Sequence, residues 1–219
     1  MRACITINDV LRRHWETFRE VYEIYLDEEN QLEEFHENPD FEFGELQEDE
    51  TVKEVSFSKV ERKILDLDGI SDPCGLTSEF AFENPEEFNN FLYQSMSFEV
   101  FAKTNVAYKN AMEDFNNLLN FFEEKRIELD IVSMEKGNSK PATLFFLSRE
   151  KCKPKNIRFV DSYIKIWDEY QIVITADKYL ILNKRPRRKL FKIETPQNKD
   201  LNFGLSCQTL KDVLNKFKK

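Results

Sequence analysis

The chain has 219 residues, with 41 Asp and Glu against 32 Lys and Arg, 41% hydrophobic residues, 20 Phe and only 5 Gly. That length and aromatic content describe a folded chain able to bury its own core, not a disordered tail. So few glycines exclude chemistry built on Gly-rich phosphate loops, and two His with four scattered Cys leave little for nucleophilic or zinc catalysis.

Compartment follows from what the sequence does not contain. Residues 1–9 form no apolar signal-peptide core, and no stretch reaches the ~18 uncharged apolar residues of a membrane span. Cys4, Cys74, Cys152 and Cys207 show no Cys-x-x-Cys spacing, which predicts reduced, buried thiols. The expectation is a cytoplasmic protein with no membrane segment, no metal and no cofactor.

In chain order, the first element is a helix from Asn8. Leu11, Trp15, Phe18, Tyr22 and Tyr25 lie on one face, with a weaker continuation through Leu32 and Phe35 up to Pro39. Residues 21–50 hold 13 acids and no Lys or Arg, and their second half reads as an acidic linker over about 38–54. Glu33, Glu34 and Glu37 are the candidate contacts to a basic partner. Residues 55–67 alternate as a strand, and Asp72-Pro73-Cys74-Gly75 marks a turn.

Asn84-Pro85-Glu86-Glu87 has the chemistry of a helix start: an N-cap Asn, Pro at the first position, and acids at the positive end of the dipole. Phe88, Phe91, Leu92 and Met96 follow at helical spacing. A further helix from near Thr104 puts Tyr108, Met112, Phe115, Leu118, Leu119 and Phe122 on one stripe.

From about 129 the period becomes two. Leu129–Met134 and Ala142–Leu147 read as strands about a Gly137-Asn138 turn, and Ile157–Trp167 as another. Gln171–Thr175 and Tyr179–Asn183 read as a hairpin, followed by a strand over Lys189–Glu194 and a helix over Thr209–Phe217. The sequence therefore predicts an α+β fold, with N-terminal helices packed against a C-terminal antiparallel β-meander and a closing helix. The expected division is a mainly helical, acidic region at 1–128 and a basic β region at 129–219.

Charge follows that division. Residues 151–219 hold 17 Lys and Arg against 7 Asp and Glu, so the rest of the chain is strongly acidic. Lys184, Arg185, Arg187, Arg188 and Lys189 fall within six residues and are the candidate binding residues for nucleic acid or an acidic partner, with Trp167, Tyr170 and Tyr179 near enough in sequence to stack bases.

Two resemblances bear on function. Pro39-Asp40 and Glu61-Arg62-Lys63 resemble the Pro-Asp…Glu-x-Lys signature of restriction-endonuclease-like nucleases. That implies Asp40 and Glu61 as Mg²⁺ ligands and Lys63 as the group polarising the attacking water. The pattern over Asp168–Phe191 looks like a segment of the Kiwa B-type anti-phage proteins and brings no site residues with it. The leading expectation is a non-enzymatic binding or regulatory protein acting through charge-polarised surfaces. It would have a protein partner, with nucleic acid as the rival ligand, and would serve a defence system or mobile element as an accessory or inhibitor factor. The alternative is a Mg-dependent nuclease.

Overall fold

A computed structural model of the chain describes residues 1–36 and 80–218, with 28–36 as backbone only. Its centre is a six-stranded sheet in which every pairing is parallel. The strands are β1 (Arg2–Thr6), β2 (Glu128–Ser133), β3 (Asn156–Phe159), β4 (Ile172–Thr175), β5 (Lys189–Ile193) and β6 (Leu205–Cys207). Their spatial order is β3-β2-β1-β4-β5-β6, that of a doubly wound α/β sheet. This overturns the α+β reading with its antiparallel meander.

The correction has local causes. Asp177 is an N-cap rather than a hairpin turn: its Oδ1 accepts from Leu180 N at 2.9 Å and starts α7 (Lys178–Leu182). Consecutive Leu180 and Ile181 are buried while Tyr179 and Leu182 are exposed, a helical pattern and not an alternating one. Without that second strand, the likeness over Asp168–Phe191 loses the hairpin it rested on. Ser162 in the same way caps α6 (Tyr163–Glu169), which cuts the expected strand at Ile157–Trp167 down to β3. Ala142–Leu147 lies within α5 (Ser139–Arg149), whose buried positions Ala142, Thr143, Phe146 and Leu147 repeat at one helical turn.

Helices cover both faces of the sheet, so its strands are buried on both sides and lose the alternation of a half-exposed sheet. On one face, Ala3, Ile5, Leu129, Ile131, Ile172, Ile174 and Phe191 pack with α4 (Ala111–Glu124) and α8 (Leu210–Lys218). On the other, Cys4, Val132, Val173 and Leu190 meet Ile166 and Trp167 of α6 and Leu180 and Ile181 of α7. β1, from the region expected to be helical, is hydrogen-bonded between β2 and β4 at the centre.

Between β1 and α4 the chain builds a helical layer of its own. It comprises α1 (His14–His36), α2 (Pro85–Asn90), a π-helical turn (Phe91–Ser95) and α3 (Ser97–Phe101). The helix start at Asn84 is as the sequence predicts: Asn84 Oδ1 accepts from Glu87 N at 2.9 Å. The start of α1 differs. Asp9, at φ 55°, receives His14 N at 2.8 Å and Trp15 N at 3.1 Å, so Leu11 belongs to the sheet core and Phe18 and Tyr22 to a second, aromatic core. Gly137 joins the layers at φ +48°, where a Cβ would lie 2.9 Å from the Tyr93 carbonyl oxygen. The strand expected at 55–67 and the turn at 72–75 lie outside the described residues.

Phe91 lies at the centre of the aromatic core, fully buried and in ring contact with Phe18, Tyr22, Tyr25 and Phe82. Phe91→Ala should destabilise the protein by about 3–5 kcal/mol, the usual cost of emptying a buried phenyl site. Urea unfolding would measure it, and a loss below about 1 kcal/mol would show that this layer contributes little to global stability.

Candidate functional site

In a doubly wound sheet, ligands bind outside the carboxyl ends of the strands, where the chain reverses its direction of winding. Here that point lies between β1 and β4. Each adjoining strand ends in a hydroxyl residue, a spacer and a polar residue: Thr6-Ile7-Asn8 after β1, Ser133-Met134-Glu135 after β2 and Thr175-Ala176-Asp177 after β4. A parallel sheet brings all three triplets to one edge. They enclose a cavity of about 20 Å³ lined by Thr6, Asn8, Ser133, Asp177 and apolar neighbours. That is room for a water molecule and not for a metabolite.

The polar groups there are engaged with one another. Thr6 and Thr175 share a hydroxyl–hydroxyl bond of 2.8 Å across the β1–β4 junction. Thr175 Oγ1 also accepts from Asp177 N at 3.0 Å, while the Asp177 carboxylate caps α7.

Behind this edge lies a buried charge network. Arg12 is fully buried and donates through Nε to Asn8 Oδ1 at 2.8 Å, and through Nη1 to Thr143 Oγ1 at 2.7 Å and the Phe101 carbonyl at 3.1 Å. Its Nη2 pairs with the buried Glu135 carboxylate, which also accepts from the Thr143 hydroxyl. One guanidinium thus ties the loop after β1, the end of α3, helix α5 and the end of β2. Its charge is met by a carboxylate and its donors by oxygens, the condition for keeping an ion pair in a core.

His14 lies close to this network, fully buried and stacked on Phe101 at 5.1 Å, with no hydrogen-bond partner at either ring nitrogen among the described residues. Burial first, then the nearby Arg12 charge, hold its pKa well below 6.5. Burial likewise pushes the thiols of Cys4, Cys152 and Cys207 up, so they remain protonated and packed. Among the described residues no group of three or more His, Cys, Asp or Glu could hold a metal ion.

The residues singled out in the sequence fall elsewhere. Asp40, Glu61, Lys63 and Glu37 lie outside the described residues, and Glu33 and Glu34 are on the backbone of α1. Lys184, Arg185, Arg187, Arg188 and Lys189 lie at the amino-terminal edge of the sheet, opposite the switch point, because Lys189 opens β5 in register with Ile172 at the start of β4. Trp167 and Tyr170 are each only 1% exposed, so neither can stack a base, whereas Tyr179 is exposed. Sequence reading missed Thr6, Asn8, Arg12, Ser133, Glu135, Thr175 and Asp177. The available signal was the triplet of hydroxyl, spacer and polar residue repeated after three apolar runs.

Among the described residues, no helix is long and apolar enough to cross a membrane. Compared with known proteins, the chain matches no family model and no curated protein sequence.

Two measurements test this description. Glu135→Ala strands a buried guanidinium and should cost about 3–5 kcal/mol, whereas Arg12→Met with Glu135→Met should recover much of that loss. A double variant as unstable as the single would mean that the hydrogen bonds, rather than the charge balance, hold the layers together. The second test is pH. A buried neutral His14 stabilises the fold fully above the ordinary 6.5 and less as pH falls below it, where the unfolded chain binds the proton first. Thermal melts between pH 7 and pH 5 should fall more steeply for the native chain than for His14→Phe, and parallel curves would exclude His14 as the cause.

Proposed function

We propose that the protein is a non-enzymatic binding or regulatory protein of the cytoplasm that works through charge-polarised surfaces, taking an acidic protein partner on its 184–189 loop. The observation that supports this is surplus positive charge. Arg185 pairs with Asp168 at 3.7 Å, and Arg188 donates to the Asp168 carbonyl at 3.1 Å. Lys189 lies over the ring of Phe217 at 4.3 Å. Lys184 and Arg187 have no carboxylate partner among the described residues. Five cations therefore share one acidic neighbour on an exposed turn. Their surroundings favour a protein over nucleic acid, because burial of Trp167 and Tyr170 removes two of the three aromatic rings that would stack bases and leaves only Tyr179 of them exposed. On the same reading, Glu33, Glu34 and Glu37 would meet a basic partner.

The four-Ala variant at Lys184, Arg185, Arg187 and Arg188 separates the ligands. Retention on a polyglutamate column should fall sharply, with an unchanged melting temperature, since exposed pairs are worth under ~1 kcal/mol each. Tight binding of an oligonucleotide, with a log K against log salt slope that flattens by up to about 3 in the variant, would instead make nucleic acid the ligand. Equal behaviour of the native and variant chains toward both probes would reduce the loop to a solvated turn.

A further inference from the structure

The small cavity at the switch point adjoins a much larger one. Beyond Met134 and Ile166, a cleft of about 440 Å³ opens between the carboxyl end of β3, the start of α5 and the outer face of α6. Its volume is that of a small-molecule site, and its place at the carboxyl edge is where this class of sheet binds ligands. Nine residues line it: the cations Lys136, Lys140, Arg158 and Lys165, the carboxylates Glu135, Asp161 and Glu169, and Phe159 with Val160 as an apolar strip.

The charges are not equally matched. Arg158 is paired with Glu169 and donates to Tyr170 Oη at 2.8 Å, and Lys165 pairs with Asp161 at 2.6 Å. Glu135, on the rim, is already engaged by Arg12. Of these four cations, Lys136 and Lys140 have no carboxylate partner among the described residues: their ammonium groups lie over the rings of Tyr93 at 5.9 Å and Phe159 at 5.6 Å. Two uncompensated cations thus face one cleft. A cleft whose lining keeps a surplus of positive charge after its ion pairs are formed attracts a counter-charge.

We infer that this cleft binds a small phosphomonoester of about mononucleotide size, its dianion between Lys136 and Lys140 and its uncharged part along Phe159 and Val160. A dianion matches the two free charges, and the apolar strip accounts for the remaining volume. The site is separate from the 184–189 loop, which lies at the other edge of the sheet, and it does not depend on the function proposed for that loop.

Calorimetric titration of the full chain with inorganic phosphate and with the four nucleoside monophosphates, one at a time, tests the assignment. At least one monophosphate should bind with Kd of about 1 mM or tighter, and phosphate more weakly. Lys136→Ala with Lys140→Ala should weaken that binding at least tenfold without changing the melting temperature, because both side chains are exposed. The four-Ala variant of the 184–189 loop should bind as the native chain does. No heat from any of the five ligands, or binding indifferent to the double variant, would overturn the proposal. So would an oligonucleotide that binds through Lys136 and Lys140 when no mononucleotide does.

Discussion

The architecture depends on the buried guanidinium of Arg12. Four elements from three stretches of the sequence meet at this side chain, and each supplies an oxygen: Asn8 after β1, Phe101 at the end of α3, Thr143 on α5 and Glu135 after β2. An unpaired charge at full burial would be prohibitive, so these positions are fixed together or not at all. Arg12 holds the aromatic helical layer over the carboxyl edge of the sheet together with Arg149, which donates to the Ala102 carbonyl, and Asn138 N, which donates to the Tyr93 carbonyl. The ring of Phe101, 4.6 Å from the guanidinium, adds a cation–π contact at the same junction.

That junction also determines what the edge can offer. Parallel pairing brings Thr6, Ser133 and Thr175 to one side, where such sheets usually receive a ligand. In this chain the Thr6 and Thr175 hydroxyls bond each other, Asp177 caps a helix, and Asn8 and Glu135 hold Arg12. The space that remains has moved sideways, to the cleft beside β3. The two cationic surfaces therefore lie at opposite edges of one sheet. The 184–189 loop is a largely exposed turn. The cleft at Lys136 and Lys140 is concave and of limited volume, suited to a small anion.

Much of the helical part was legible from residue chemistry. The cap at Asn84, the stripe from Met112 to Phe122 and the closing helix before Phe217 each depend on neighbours within a turn or two, where local rules apply. Strand positions at Leu129, Ile172 and Lys189 were also legible. Strand direction was not. Tyr179-Leu180-Ile181-Leu182 reads as the return strand of a hairpin until Asp177 is seen to cap it, and an Asp serves a turn and an N-cap equally well. β1 went unread because Ala3-Cys4-Ile5 is too short and too uniformly apolar to show a period, as expected for a strand covered on both faces.

The sequence by itself determined a folded, aromatic-rich chain with a divided charge, its helix cap at Asn84 and its basic 184–189 cluster. These are local or summed properties, fixed by composition and nearest neighbours. Tertiary structure alone decided that the sheet is parallel, that β1 lies at its centre and that three polar triplets distant in sequence share one edge. It also decided that Arg12 is buried, and that Trp167 and Tyr170 are core rather than surface. The physical reason is the same in each case. A side chain's burial and partners depend on which distant strand becomes its neighbour, and pairing across a sheet carries no signature in the spacing of the residues that do the pairing.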